Sequence, residues 1–257
     1  MYASIAAILS GGLVGFVLGL VGGGGSILAT PLLLYVVGIA NPHVAIGTGA
    51  LAVSVSAALN LANYWRQHWI RWRPAIIFSA IGAAGTLAGS TLGKAIDGTQ
   101  LLVLFGGVMF VVGLLMLRPR ALDAASAPAA GWVLPVLALL TGAASGFFGI
   151  GGGFLIVPAL LVATRMPIIE AVGTSLVAVT VFGLLTSLNY ALSGYVEWMV
   201  AAKFIVGGIG GGIAGALVAG RLAQHKRALN TVLALIILSA AVYVTVQGVG
   251  TLVQGAA

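Results

Sequence analysis

Charge is what this sequence has least of. Only 6% of its 257 residues are Asp, Glu, Lys or Arg, whereas 61% are hydrophobic. A soluble domain carries about a quarter charged residues. So little polarity cannot coat a globule in water, but it suits a bilayer, where apolar side chains face lipid and the backbone is satisfied internally. A mean hydropathy of +1.19 points the same way.

Cysteine is absent, which excludes disulfides and thiolate metal sites. Acidic residues number four, Asp97, Asp123, Glu170 and Glu197, and none pair at a spacing used for glycoside hydrolysis or metal binding. His43, His68 and His225 are expected in loops, without metal-ligand spacing. Ser145-Gly146 resembles the nucleophile turn of rhomboid proteases only loosely, and no histidine falls in a predicted membrane helix to act as base. The chain is therefore not expected to be an enzyme, nor to hold a metal or cofactor. A net charge of +7 in a soluble protein would suggest nucleic acid. Here Lys and Arg lie in short loops between apolar runs, where they set orientation and meet anionic lipid.

What is present is a series of long apolar runs: 3–21, 26–40, 44–64, 74–96 and 100–117, then 132–148, 154–166, 168–192, 198–220 and 228–252. A crossing helix needs about 20 such residues. The first run follows Met1-Tyr2 without a basic leader and reads as a retained helix. The Ala- and Pro-rich segment 118–131 reads as the single linker, dividing an N-terminal transmembrane repeat (1–123) from a C-terminal one (124–257).

The halves are related. Gly19-Leu20-Val21-Gly22-Gly23-Gly24-Gly25-Ser26, with Pro31, aligns with Gly146-Phe147-Phe148-Gly149-Ile150-Gly151-Gly152-Gly153, with Pro158. After a single-residue gap Gly47-Thr48 matches Gly173-Thr174, Asn63-Tyr64 matches Asn189-Tyr190, and Trp72 matches Trp198. Gly82, Gly85 and Gly89 match Gly208, Gly211 and Gly215. Pro, Trp and Asn-Tyr recurring in one order point to duplication rather than chance.

Arg66, Arg71 and Arg73 put the loop 66–73 in the cytoplasm, while its repeat partner carries only Glu197. Lys94 and Asp97 cancel, whereas the partner region carries Arg221, Lys226 and Arg227. Equivalent loops fall on opposite faces, so the expectation is an all-α polytopic membrane protein of two inverted-topology repeats, with about 8–10 membrane segments. Whether the first two runs of each half are full crossings or a re-entrant hairpin stays open.

The glycine runs are the strongest local signal. Contiguous glycine interrupts a helix, and the freed N–H groups with the following helix N-terminus favour anions. Gly23, Gly24, Gly25 and Ser26, with Gly151, Gly152 and Gly153, are the candidate substrate-binding breaks. Gly11, Gly15 and Gly19 read instead as close helix packing. Thr48, Thr174, Ser175, Asn63 and Asn189, all in apolar runs, are further candidates, able to donate to an oxyanion or to bond neighbouring backbone. Lys203 is expected to pair with Glu197 or to reach the interface. This is no nucleotide loop, since the Gly-Lys-Ser/Thr ending is missing.

These residues, the glycine runs with Pro31 and Pro158 and the two Gly-Thr steps, resemble the TauE/SafE family of sulfite and organosulfonate exporters over nearly the whole chain. The resemblance implies a multi-pass permease of the cell inner membrane, carrying a small sulfur-containing anion such as sulfite or sulfoacetate. One departure is Ile150, which stands where the first-half run has glycine and makes the two breaks unequal. A negative-inside potential favours anion exit by about 2.3 kcal/mol per charge per 100 mV, so export needs no buried carboxylate relay. The expected mechanism is alternating access, with the anion held where paired glycine breaks meet near the midplane; a passive channel or a non-transporting scaffold is the alternative. Expected partners are the small anionic substrate and membrane lipid, with no nucleic acid, and association as a homodimer is left open.

Overall fold

The computed structural model describes residues 2–117, 131–149, 153–222, 238–239 and 241–247. The linker, Asp123, Ile150, Gly151, Gly152 and His225 lie outside these residues, as does the boundary between the two repeats. Among the described residues every regular element is helical. The order is α1 (Tyr2–Val21), a 3-10 segment (Gly22–Leu28), α2 (Ala29–Tyr35), α3 (Pro42–Arg66), α4 (Trp72–Ala95) and α5 (Gly98–Leu117). Then follow α6 (Val133–Phe148), α7 (Gly153–Thr164), α8 (Ile168–Ala191) and α9 (Trp198–Leu222).

Local chemistry sets several of these ends. Asn41 Oδ1 accepts the His43 N–H at 2.9 Å with Pro42 at the first helical position, so α3 begins there. His43 thus stands in the first turn of α3 rather than in a loop. Asp97 Oδ1 accepts the Thr99 N–H at 2.9 Å and starts α5. Gly149, at φ +65°, ends α6 in the left-handed conformation that glycine adopts without strain.

Five helices, α1, α3, α4, α8 and α9, are long and apolar enough to cross a membrane. Their outer faces carry bare Leu, Ile and Val, including Leu87, Leu188 and Leu217, while Trp65, Trp72 and Trp198 sit exposed at helix ends. The protein is an all-α polytopic membrane protein.

Glycine decides the packing. A Cβ at Gly11 would overlap the Phe204 carbonyl oxygen, and one at Gly15 that of Gly208, so α1 lies backbone to backbone on α9, the two running parallel. Gly85 and Gly89 meet Leu139 and Ala143 in the same manner, joining α4 to α6, also in parallel. Each half thus lends its first helix to the other half's fourth-run helix. Between these pairs stand α3 and α8, which are repeat counterparts. Gly47 touches Tyr190, Ser54 touches Gly183 and Tyr64 touches Gly173, so they run antiparallel.

The first two apolar runs form a hairpin. After α1 the chain turns back, and Gly25 packs on Val14 and Leu18. α2 then runs beside Gly49 toward the end where α3 begins. At about 1.5 Å per residue α2 spans only some 10 Å and α7 some 18 Å, so neither crosses about 30 Å of hydrocarbon alone.

Candidate functional site

The repeated Gly-Thr step closes the two halves on one another. Thr48 Oγ1 accepts the N–H of Glu197 at 2.9 Å, and Thr174 Oγ1 accepts that of Arg71 at 3.1 Å. Glu197 and Arg71 are counterparts, each just ahead of the last long helix of its half. The preceding glycines admit the other half's loop: a Cβ at Gly47 would overlap the Tyr195 carbonyl oxygen, and one at Gly173 that of Trp69. Arg71 also forms an ion pair with Glu170 at this end. Ser175 is buried and donates to Val172 O at 2.7 Å.

These hydroxyls do not converge. Thr48 lies beside the α8 turn that carries Tyr190, whereas Thr174 is 16 residues earlier, about 24 Å away along the helix. The glycines that lead into the breaks separate likewise. Gly149 abuts Ile46 near the start of α3, and Gly19 receives a hydrogen bond from Tyr64 near its end. That is about 27 Å along α3, nearly the thickness of the hydrocarbon core. Parallel pairing of α1 with α9 and α6 with α4 sends Gly19 and Gly149 to these opposite ends. The first break itself, the 3-10 segment, packs against α7, which begins at Gly153, and against α8.

That segment also differs from the open loop expected there. Gly22, Gly23, Gly24, Gly25 and Ser26 keep i→i+3 helical geometry, which leaves fewer N–H groups to a ligand than an unwound loop would. Gly25, Ser26 and Gly153 are buried within it and at the start of α7. Thr30, one turn beyond Ser26, is 1% exposed and its hydroxyl has no hydrogen-bond partner.

The two asparagines have different surroundings. Asn63 is half-buried near the end of α3. Asn189 joins α8 to α4: its Nδ2 donates to Ser90 Oγ at 2.6 Å, and its Oδ1 and O accept from Lys94 Nζ at 2.8 and 2.9 Å. Lys94 also donates to Ser193 Oγ at 2.8 Å. Asp97, which cancels Lys94 in formal charge, is turned instead to the N-terminus of α5. Lys203 donates to Ser4 Oγ rather than to Glu197.

Sequence reasoning did not single out every buried polar group. Asn60 is 4% exposed and donates to Ser56 O at 3.0 Å, with its amide against Gly212. Ser145, Thr186 and Tyr190 are fully buried with no hydrogen-bond partner. Single Ser and Thr in apolar runs are too common to stand out. Tyr190 was visible only as half of a repeated Asn-Tyr pair.

The sequence profile described as Sulfite exporter TauE/SafE matches residues 7–244. A protein of Xylella fastidiosa named probable membrane transporter protein is 59% identical over 93% of this chain and 94% of its own. Bacillus subtilis YunE, a probable membrane transporter protein, is 27% identical over 82% of this chain and 86% of its own. Methanocaldococcus jannaschii MJ0441, named likewise, is 27% identical over 72% and 73%. No solved structure matches the chain significantly. With helices that cross a bilayer and relatives named as carriers, the protein is a membrane transporter rather than an enzyme, and the chain belongs to the TauE/SafE sulfite exporter family.

Proposed function

We propose that the protein exports a small sulfur-containing oxyanion, sulfite or an organosulfonate such as sulfoacetate, across the cell inner membrane by alternating access. The observation that carries this reading is the packing of the 3-10 segment against α7. Contact between the segment that holds the first glycine break and the helix that follows the second supports a shared anion path through the bundle. An anion moving along them would pass Gly23 to Ser26 and Thr30 on one segment, and Gly153 at the start of α7 on the other. The Thr48 and Thr174 clasps hold opposite ends of the α3–α8 pair, as gates must. The antiparallel course of these counterpart helices supports inverted repeats, and opening one clasp while keeping the other is the simplest rocking motion.

The test is flux of sulfite and of sulfoacetate in proteoliposomes under an imposed potential of either sign. Saturable flux with counterflow, reversing with the potential, is the expected result. Flux that neither saturates nor shows counterflow means a channel. No flux of either anion removes the sulfur-oxyanion reading.

A further inference from the structure

The two halves leave different buried hydroxyls without partners among the described residues: Thr30 and Ser79 in the first, Ser145, Thr186 and Tyr190 in the second. Tyr64 and Tyr190 are counterparts, both buried. Tyr64 Oη donates to Gly19 O at 2.9 Å. The equivalent acceptor for Tyr190 is Gly146 O, which accepts the Gly149 N–H at 3.2 Å where α6 ends, and the Tyr190 hydroxyl has no partner among the described residues. Asn60 is satisfied by Ser56 O, whereas its counterpart Thr186 has no partner. The counterpart of Ser145 is Leu18, which needs none.

Ser145 and Tyr190 stand at nearly one level of the bundle, with Thr186 one turn before Tyr190. A Cβ at Gly82 would meet both the Phe182 ring and the Ala138 carbonyl oxygen, which puts Phe182 and Ala138 level. α6 and α8 both run parallel to α4. Ser145 is two turns beyond Ala138, and Thr186 and Tyr190 are one and two turns beyond Phe182. Ile46 touches Gly149 while its neighbour Gly47 touches Tyr190, so the three hydroxyls flank the second glycine break.

A cation stands at the same level. Lys94 Nζ lies 6.0 Å from the Tyr190 ring centre, held by Asn189 and Ser193. No carboxylate among the described residues pairs with it. Its counterpart in the alignment of the halves is Gly220. A half-buried cation without a carboxylate partner, in the last turn of a membrane helix, is placed to attract an anion, and unpaired buried hydroxyls are costly unless a ligand completes them.

We propose that Lys94 and the hydroxyls of Ser145, Thr186 and Tyr190 form an oxyanion site beside the second glycine break, built from residues that, Tyr190 apart, the other half does not repeat. It rests on the anion-transport reading and makes that transport asymmetric. Three O–H donors suit the three oxygens of a sulfite or sulfonate group. The ammonium supplies the charge and releases the exposed Ser193 to face the anion. The site is occluded here, with the Tyr190 ring covered by His43 and Tyr195.

The experiment compares sulfite KM in proteoliposomes, and sulfite Kd in detergent, for wild type, Tyr190→Phe, Thr186→Val and Tyr64→Phe. Tyr190→Phe and Thr186→Val are expected to raise both constants about tenfold, the loss of one hydrogen bond to a charged group. Tyr64→Phe, which deletes a satisfied bond, should lower the melting temperature and leave KM within twofold. Lys94→Gln should abolish sulfite binding and Lys94→Arg restore it, a rescue that a merely structural lysine would not show. Kd unchanged within twofold in both hydroxyl variants, or raised equally by Tyr64→Phe, overturns the site while leaving transport intact. Wild type that neither binds nor carries sulfite overturns the transport reading and this site with it.

Discussion

Thr48 and Glu197 are joined across the two halves, the threonine oxygen accepting the backbone N–H 2.9 Å away. Thr174 and Arg71 repeat the bond at the opposite end, at 3.1 Å. Glycine before each threonine removes the side chain that would keep the other half's loop away. A Gly-Thr pair is thus a complete clasp, with clearance in one residue and an acceptor in the next. Valine has nearly the shape of threonine but no acceptor, so Thr48→Val leaves the Glu197 N–H unpaired. The expected cost is about 1–3 kcal/mol, and Thr48→Ser should recover most of it. Denaturation in detergent micelles checks this, and equal stability of Thr48→Val and wild type would deny the clasp any structural weight.

The second prediction concerns the α1–α9 seam. A Cβ at Gly15 would overlap the Gly208 carbonyl oxygen, which belongs to backbone and cannot swing aside, whereas one at neighbouring Gly12 would rest 3.7 Å from Gly207 O. Gly15→Ala should destabilise by about 1–3 kcal/mol or prevent accumulation of folded protein, and Gly12→Ala should be near neutral. Comparing the monodisperse fraction of the two variants separates close packing from mere tolerance of small residues.

How much of this was legible beforehand depends on the kind of signal. Membrane class, helical architecture and duplication follow from composition and from repeated Pro, Trp and Asn-Tyr, which survive without coordinates. The packing role of Gly11 and Gly15 follows from their four-residue spacing. The exchange of first helices between halves does not, because every apolar helix offers glycine to every other. That exchange sent Gly19 and Gly149 to opposite ends of α3, which the symmetry of the motif alone could not show. Lys94 looked neutralised in the chain because Asp97 is near in sequence. In space, Asp97 caps α5 and the lysine reaches Asn189. Ile150, the residue that makes the breaks unequal on paper, lies outside the described residues. The described asymmetry begins one residue earlier, at Gly149.

Arg71 and Glu170 give a third prediction. The pair is partly open to solvent, with side-chain exposures of 52% and 25%. Exposed ion pairs contribute about 0–1 kcal/mol and are screened by salt. Glu170→Gln should therefore change equilibrium stability by less than about 1 kcal/mol, with the difference shrinking at high ionic strength. A loss of several kcal/mol, unaffected by salt, would mean that this end of the bundle is desolvated and firmly shut.

Gly149 supplies the fourth, and its two costs can be separated. Its φ of +65° is unfavourable for any residue with a Cβ, by about 1–2 kcal/mol. The same Cβ would also run into the Ile46 side chain. Gly149→Ala should therefore be more damaging than backbone strain alone explains. Shortening the neighbour in the double variant Gly149→Ala/Ile46→Ala removes the collision but not the strain. In a double-mutant cycle measured by denaturation in micelles, the pair should be less destabilised than the sum of the single changes, with a coupling of about 0.5–3 kcal/mol. Strict additivity would mean that Gly149 and Ile46 do not touch in the folded protein. The break would then not be seated against α3, and the level assigned to Tyr190 beside it would lose its support.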